Sequence, residues 1–189
     1  MHDELQLRDG SRLVVRPIRP VDAPALVALH SRLSADTIYR RYFSARPHLA
    51  PGVVHRFTNV DEEWRFALVA LRDGGDLVAV VRYEGERDSS SAELAVVVDD
   101  ALQHCGVGRL LVERIVDVAR ERGLEYLVAD VLNGNSPMLR LLRATGLPAR
   151  TTSDGATVTV TVDLRGHAPA EARVARARDH VGAALQAPT

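Results

Sequence analysis

The sequence predicts the α/β class in its α+β form: a mixed, mostly antiparallel sheet flanked by helices. Three observations carry that expectation. Apolar runs at Trp64 to Leu71, Leu77 to Tyr83 and Ala92 to Val98 follow one another across short polar breaks, the pattern of stacked hairpins. Helical apolar spacing appears before this meander and again after it. The order as a whole is then neither a strict strand–helix alternation nor a helical bundle.

The elements follow in turn. Arg12 to Ile18 is rich in Val and Leu and reads as a strand stopped by Pro17 and Pro20. Asp22 stands as an N-cap for a helix with Pro24 in its first turn and Leu26, Leu29 and Leu33 on one face. Ser34-Ala35-Asp36 opens a second helix carrying Tyr39, Arg40, Arg41, Tyr42 and Phe43, and a short helix follows around Val53 to Phe57. Asp73-Gly74-Gly75-Asp76 turns the first hairpin, and the polar loop Arg87 to Ser91 leads into the third strand of the meander. After Asp99-Asp100 comes a glycine-bearing turn and a long amphipathic helix with Leu110, Leu111, Ile115, Val118 and Ala119 on its apolar face, ended by Gly123. Tyr126 to Leu132 is a strand, Asn135 to Thr145 a helix closed by Gly146, and Thr157 to Leu164 a strand after the Asp154-Gly155 turn. Beyond Gly166 the composition shifts to Ala, Arg and Pro. Residues 1–165 are therefore expected as one domain and 166–189 as a tail or an Arg-rich helix.

Composition removes several function classes. The 189 residues are 46% hydrophobic and 26% charged, enough for one well-filled core. No apolar run approaches the length of a bilayer span, and the polar start Met1-His2-Asp3-Glu4 lacks the layout of a signal peptide. Cys105 is the only cysteine, so no intrachain disulfide forms, and a cytoplasmic protein without a membrane partner is expected. With 24 basic and 25 acidic residues the net charge is −1, which argues against a nucleic-acid partner held by charge. Every basic residue is Arg. Without Lys there is no Walker-type phosphate loop, no pyridoxal Schiff base and no kinase strand lysine. The seven His are scattered without metal spacing, and no Gly-x-Ser-x-Gly elbow occurs, so neither a metal nor a serine nucleophile is expected.

The chemistry concentrates in Gln103-His104-Cys105-Gly106-Val107-Gly108-Arg109, between a strand and a helix. Glycines let the backbone turn tightly and bring amides close to a ligand, and the helix start adds unpaired N–H donors and the positive end of its dipole. That arrangement suits a phosphate or pyrophosphate, although such a turn also needs glycine for steric reasons alone. A dinucleotide fold fits these residues poorly. Leu111 holds the place of its third glycine, Asp99 to Cys105 separate the strand from the first, and an antiparallel meander precedes it.

On these residues the chain resembles the GNAT superfamily of N-acetyltransferases, over roughly Leu5 to Leu164. Gln103 to Gly108 is similar to the superfamily's acyl-coenzyme A pyrophosphate loop. Ala92 to Val98 is similar to its base-bearing strand, and Asn135 to Leu142 followed by Gly146-Leu147 to its Asn-initiated helix. Leu13 to Ala23 and Ser34 to Phe43 resemble the acetyltransferase domain of bacterial Pat-type protein-lysine acetyltransferases. The resemblance implies splayed central strands and acetyl-CoA as cosubstrate. It also implies that main-chain groups of Val96 and Val98 pair with the pantetheine arm, and that amides from His104, Cys105, Gly106, Val107, Gly108 and Arg109 hold the pyrophosphate. Asn135 would hydrogen-bond the cofactor or serve as a plain N-cap.

Glu93 is the one acid inside an otherwise apolar strand. An amine must lose a proton before it attacks a thioester, and a carboxylate in a partly dry cleft suits that task. The resemblance implies that Glu93 is this base; the alternative is a strand residue facing water. Asp130, across the splayed pair, is expected to face Glu93 and bind a cationic acceptor or share the proton work, or else to be a buried structural acid. Tyr39 and the aromatics after it are expected either to line the acceptor site or to form a core-facing stripe. Two departures stand out. Leu142 occupies the place where many members carry a Tyr that protonates the leaving thiolate, and Cys105 replaces a common basic residue as a small turn residue. The expected activity is transfer of acetyl from acetyl-CoA to a primary amine, a protein lysine by resemblance. A small amine or amino acid as acceptor, and a coenzyme A-binding module with little catalysis, are the alternatives.

Overall fold

A computed structural model describes residues 3–7 and 12–165. The expected C-terminal tail or helix lies outside the described residues. Strands β1 (Asp3–Gln6), β2 (Arg12–Pro17), β3 (Arg65–Arg72), β4 (Leu77–Gly85), β5 (Ser91–Val98), β6 (Tyr126–Leu132), β7 (Ala149–Asp154) and β8 (Thr157–Asp163) form one sheet. Its order is β1-β2-β3-β4-β5-β6-β8-β7. All neighbours are antiparallel except β5 and β6, which run parallel. The mixed, mostly antiparallel α/β fold expected from the sequence is the fold observed.

Helices α1 (Ala23–Arg32), α2 (Ala35–Tyr42) and α3 (Pro51–Thr58) lie over one face; α4 (Val107–Glu121) and α5 (Ser136–Arg143) lie over the other. Strands β3 and β4 are buried on both faces, which is why they read as unbroken apolar runs. Their alternation feeds two cores. Phe66, Leu68, Ala70, Val81 and Tyr83 pack with Leu111, Val112 and Ile115 of α4, whereas Ala67, Val69 and Val80 pack with Leu26, Leu29 and Ile38. A bulge shifts the β3–β4 register between Ala70 and Leu71. Val78 and Ala79 therefore share the α4 core, and the Val78 carbonyl accepts from the Asp99 amide at 2.8 Å.

Strands β1 and β7 were not anticipated. Every residue of β7 is exposed, so no apolar period marks it. It forms because the turn at Gly155 (φ 66°) folds it back on β8. Asp22 also differs from its expected role. Its side chain makes no cap bond to α1. Instead it accepts two bonds from the Arg16 guanidinium, at 2.8 and 2.7 Å, and one from the Arg19 amide at 2.7 Å, and it is 4% exposed.

The Arg16 guanidinium, and secondarily the Arg19 amide, hold the Asp22 carboxyl below its ordinary range against the opposing effect of burial. Replacing one partner of such a pair strands the other charge without water. Asp22→Ala should lower unfolding free energy by about 3 kcal/mol in urea titration. Because the folded-state value is depressed, the stabilisation is complete above the unfolded carboxyl value of about 4. It is lost as pH falls through the lower folded value, so wild type and variant should converge in stability at strongly acid pH.

Candidate active site at the parting of two strands

The hydrogen-bonded pairing of β5 with β6 covers three positions, Ser91 with Tyr126, Ala92 with Leu127 and Glu93 with Val128. Beyond Glu93 the strands part. On its other edge β5 stays paired with β4 as far as Val98. One edge of the β5 backbone is thus open from Leu94 onward, and it forms the wall of a cleft of about 570 Å³.

The N-terminus of α4 closes one end of that cleft. His104 (φ 63°) and Gly106 (φ 89°) both adopt the left-handed conformation, which turns the chain into the helix. No side chain caps α4. The Cys105 amide bonds the Leu102 carbonyl at 3.4 Å. The amides of His104, Gly106, Val107, Gly108 and Arg109 have no acceptor among the described residues. A helix start with several bare donors favours an anion. His104, Arg109, Arg140 and, from α2, Arg40 also line the cleft. Arg109 also pairs with Glu113 at 2.9 Å, and Arg40 with Asp36 at 2.9 Å.

The residues singled out in the sequence fall into three groups. Glu93, Val96, Val98, Gln103, His104, Gly106, Gly108, Arg109, Asp130 and Asn135 all line the cleft. Val107 is buried, so only its amide is available, and Cys105 is exposed outside the lining. Tyr39 is not brought there: it is 50% exposed, and Tyr42 and Phe43 line the cleft instead. Of the expected core-facing stripe, Tyr42 is half-buried and packs against the α1–α3 core, whereas Phe43, just past α2, is 40% exposed.

Several side chains have duties the sequence did not disclose. The Gln103 amide donates to Thr37 Oγ1 and Asp100 Oδ1, both at 3.1 Å, and to the Val98 carbonyl at 3.4 Å. Asp100 also accepts from the Ser34 amide at 2.8 Å and from Thr37 Oγ1 at 2.6 Å. Partial burial pushes the Asp100 carboxyl up, but the bonds from Thr37 and Ser34 outweigh it and leave it below its ordinary value. This network ties the start of α2 to the turn before α4. Asn135 caps α5, its Oδ1 accepting from the Met138 amide at 3.2 Å. Asp130 accepts from Thr159 Oγ1 at 2.6 Å and is exposed, not a buried structural acid. Leu142 is 2% exposed and packs in the α4 core, whereas Leu141 lines the cleft.

Glu93 stands exposed where this cleft meets a second recess of about 280 Å³ on the α2–α3 face. The dry setting expected for it is absent from the protein alone. Its cross-strand partner is Glu84. The repulsion of two opposed carboxylates is relieved because Glu84 is held by Arg56 at 2.6 Å and by Arg82 at 3.1 Å. Among the described residues no cluster of His, Cys, Asp and Glu is suited to a metal ion, and no helix is long and apolar enough to cross a membrane.

Comparison with known proteins agrees with this geometry. Residues 33–147 match the acetyltransferase (GNAT) family. The crystal structure of the GNAT domain of S. lividans PAT superposes with a TM-score of 0.79 at 35% identity, covering 86% of this chain and 96% of that one. Acetyltransferase PA5475 of Pseudomonas aeruginosa is 27% identical over 80% of this chain and 83% of its own length. Acetyltransferase Pat of Mycolicibacterium smegmatis is 28% identical over 75% of this chain, and the match spans 43% of the longer Pat chain. A parted parallel strand pair, an uncapped glycine turn and these matches lead to one conclusion: the chain belongs to the GNAT family and is an acetyl-CoA-dependent acetyltransferase.

Proposed function

We propose that the protein transfers acetyl from acetyl-CoA to a primary amine by direct attack, with a protein lysine as acceptor. The observation that carries the reading is the meeting of bare α4 amides with the open β5 edge in one cleft. The donor side fits coenzyme A. The bare amides of His104, Gly106, Val107, Gly108 and Arg109 suit its pyrophosphate, with the Cys105 amide already taken by Leu102; Arg40, Arg109 and Arg140 suit its remaining charge, and the open β5 edge around Val96 and Val98 suits an extended amide-bearing arm. Asn135 has its Oδ1 spent on Met138, so only its Nδ2 is left as a donor to that arm. The Pat relatives support a protein lysine.

Acetyl-CoA supplies the thioester carbonyl, and the chain's own residues orient and deprotonate the amine. Asp130 and Glu93 lie on the same face, since Glu93 pairs with Val128, two residues before Asp130. Both attract an ammonium group. Glu93 takes one proton from that group, and bound substrates complete the exclusion of water that the open cleft lacks. The freed lone pair forms the C–N bond as the C–S bond breaks, and the nitrogen then gives up its second proton to solvent. With Leu142 turned into the core, the departing thiolate takes its proton from solvent at the mouth.

Two measurements test the reading. Glu93→Gln should lower thiol release at neutral pH by about 100-fold and leave acetyl-CoA affinity intact. Its residual rate should climb with pH toward the lysine value of about 10.4, where the amine needs no base; an unchanged rate across pH would remove Glu93 from the role. The nearest atoms a Cβ on Gly108 would meet are Val98 Cγ2 and Leu141 Cδ2, both at 3.5 Å, and Leu141 Cδ1 at 3.9 Å, all within ordinary contact. Gly108→Ala should therefore fold, gain up to about 1 kcal/mol of helix stability, and still bind acetyl-CoA at least tenfold more weakly by calorimetry. Unaltered binding would show that the cofactor does not approach this turn.

A further inference from the structure

The recess beyond Glu93 has a charge that a bare amine would not choose. Arg41, Arg46, Arg56 and Arg82 line it against only two carboxylates, Glu84 and Glu93. Glu84 is consumed by Arg56 and Arg82. Arg41 and Arg46 have no carboxylate within ion-pair distance among the described residues, and both lie against the ring of Tyr42, at 5.0 and 5.2 Å.

Arg56 is exposed, but Arg41 and Arg46 are partly buried and Arg82 is buried. Arg82 has a side chain 5% exposed, stacks on Phe57 at 3.8 Å and donates to the Phe57 carbonyl at 2.6 Å. Burial pushes its guanidinium down to about 10; Glu84 opposes that, while the charges of Arg41 and Arg56 add to it. The backbone at Arg46 is pinned, its carbonyl 2.7 Å from Nε2 of buried His30. Excess positive charge held by packing beside the acceptor carboxylates repels a simple ammonium. It is relieved by an acceptor that carries its own anion.

We infer that the recess lined by Arg41, Arg46, Arg82 and Tyr42 is a subsite for a carboxylate borne by the acceptor close to its reacting amine. The carboxylate comes either from an acidic side chain beside a target lysine or from a free amino acid. This inference rests on the acceptor side proposed above. It adds a selection rule: the amine goes to Glu93 and Asp130, and the anion goes to the arginines.

The test separates the two ideas. Fluorescence anisotropy with peptides carrying acetyl-lysine, the product, needs no turnover. Peptides with Glu beside the modified lysine should bind about tenfold tighter than those with Ala, and those with a flanking Lys should bind weakest. Arg46→Gln, in a part-exposed loop outside the main cleft, should abolish the Glu preference, as should molar salt, while acetyl-CoA affinity stays unchanged. Thiol release with the unacetylated peptides, and with free aspartate and glutamate, should show the same order in KM with little change in kcat. Preference for the free amino acids would place the carboxylate on a small acceptor and keep the subsite. Equal binding of Glu- and Ala-flanked peptides, with no preference for acidic amino acids, would overturn it. Arg46-dependent binding of Glu-flanked peptide without thiol release from any amine would instead refute the proposed reaction and leave the subsite standing.

Discussion

A sheet gains most by pairing every edge, so a central strand that leaves half of one edge unpaired is the constraint on which this molecule turns. β5 keeps β4 along its whole length and gives up β6 after Glu93. The unpaired peptide groups lie toward a cleft, where water or an extended ligand satisfies them. The loss is tolerable because β3 and β4 are buried on both faces and packed by α4 and α1, which holds β5 without help from β6. Had the pairing run on to Val98, there would be no slot through the sheet. The α4 amides would then look onto a closed wall.

The same parting brings residues from both faces of the sheet to one opening. Val96 and Val98 point toward α4, and Glu93, Ala95 and Val97 point toward the face of α1 to α3. The slot joins them, with Glu93 at the junction of both recesses. Asp100 holds the two sides in register. One carboxylate receives the start of α2, through Ser34 and Thr37, and the Gln103 amide from the turn before α4. Residues 40 to 42 of α2 are thereby set relative to the glycine turn by a few short hydrogen bonds rather than by chain connectivity.

Local signals made most of this legible in the sequence. The buried strands were found because strands covered on both faces are continuously apolar, and α4 because its apolar stripe is regular. The glycine turn was found because left-handed backbone favours glycine, as at Gly106. What stayed hidden depends on partners distant in the chain. Strand β7 has no apolar period and exists only by pairing with β8. Asp22 looked like a cap because its neighbours are a helix start, but Arg16 claims its carboxylate. Gln103 carried a loop signature and proves also to anchor that loop to α2. Arg82 sits in an apolar strand like its neighbours, and nothing local distinguishes a buried guanidinium stacked on Phe57 from an exposed one.

The absence of lysine acquires a physical meaning once the chemistry is acetyl transfer. Both charged regions of the cleft, at the α4 turn and around Tyr42, use guanidinium groups alone. A lysine in either place would be a primary amine within reach of an acetyl donor, and its acylation would erase the charge. Arginine has no such amine, stays protonated even where Arg82 is buried, and stacks on rings as Arg41, Arg46 and Arg82 do. Whatever bias set the composition, it leaves the arginine-lined walls of the cleft with side chains that the transferred group cannot neutralise. The charge of those walls is therefore independent of how much acetyl donor is present.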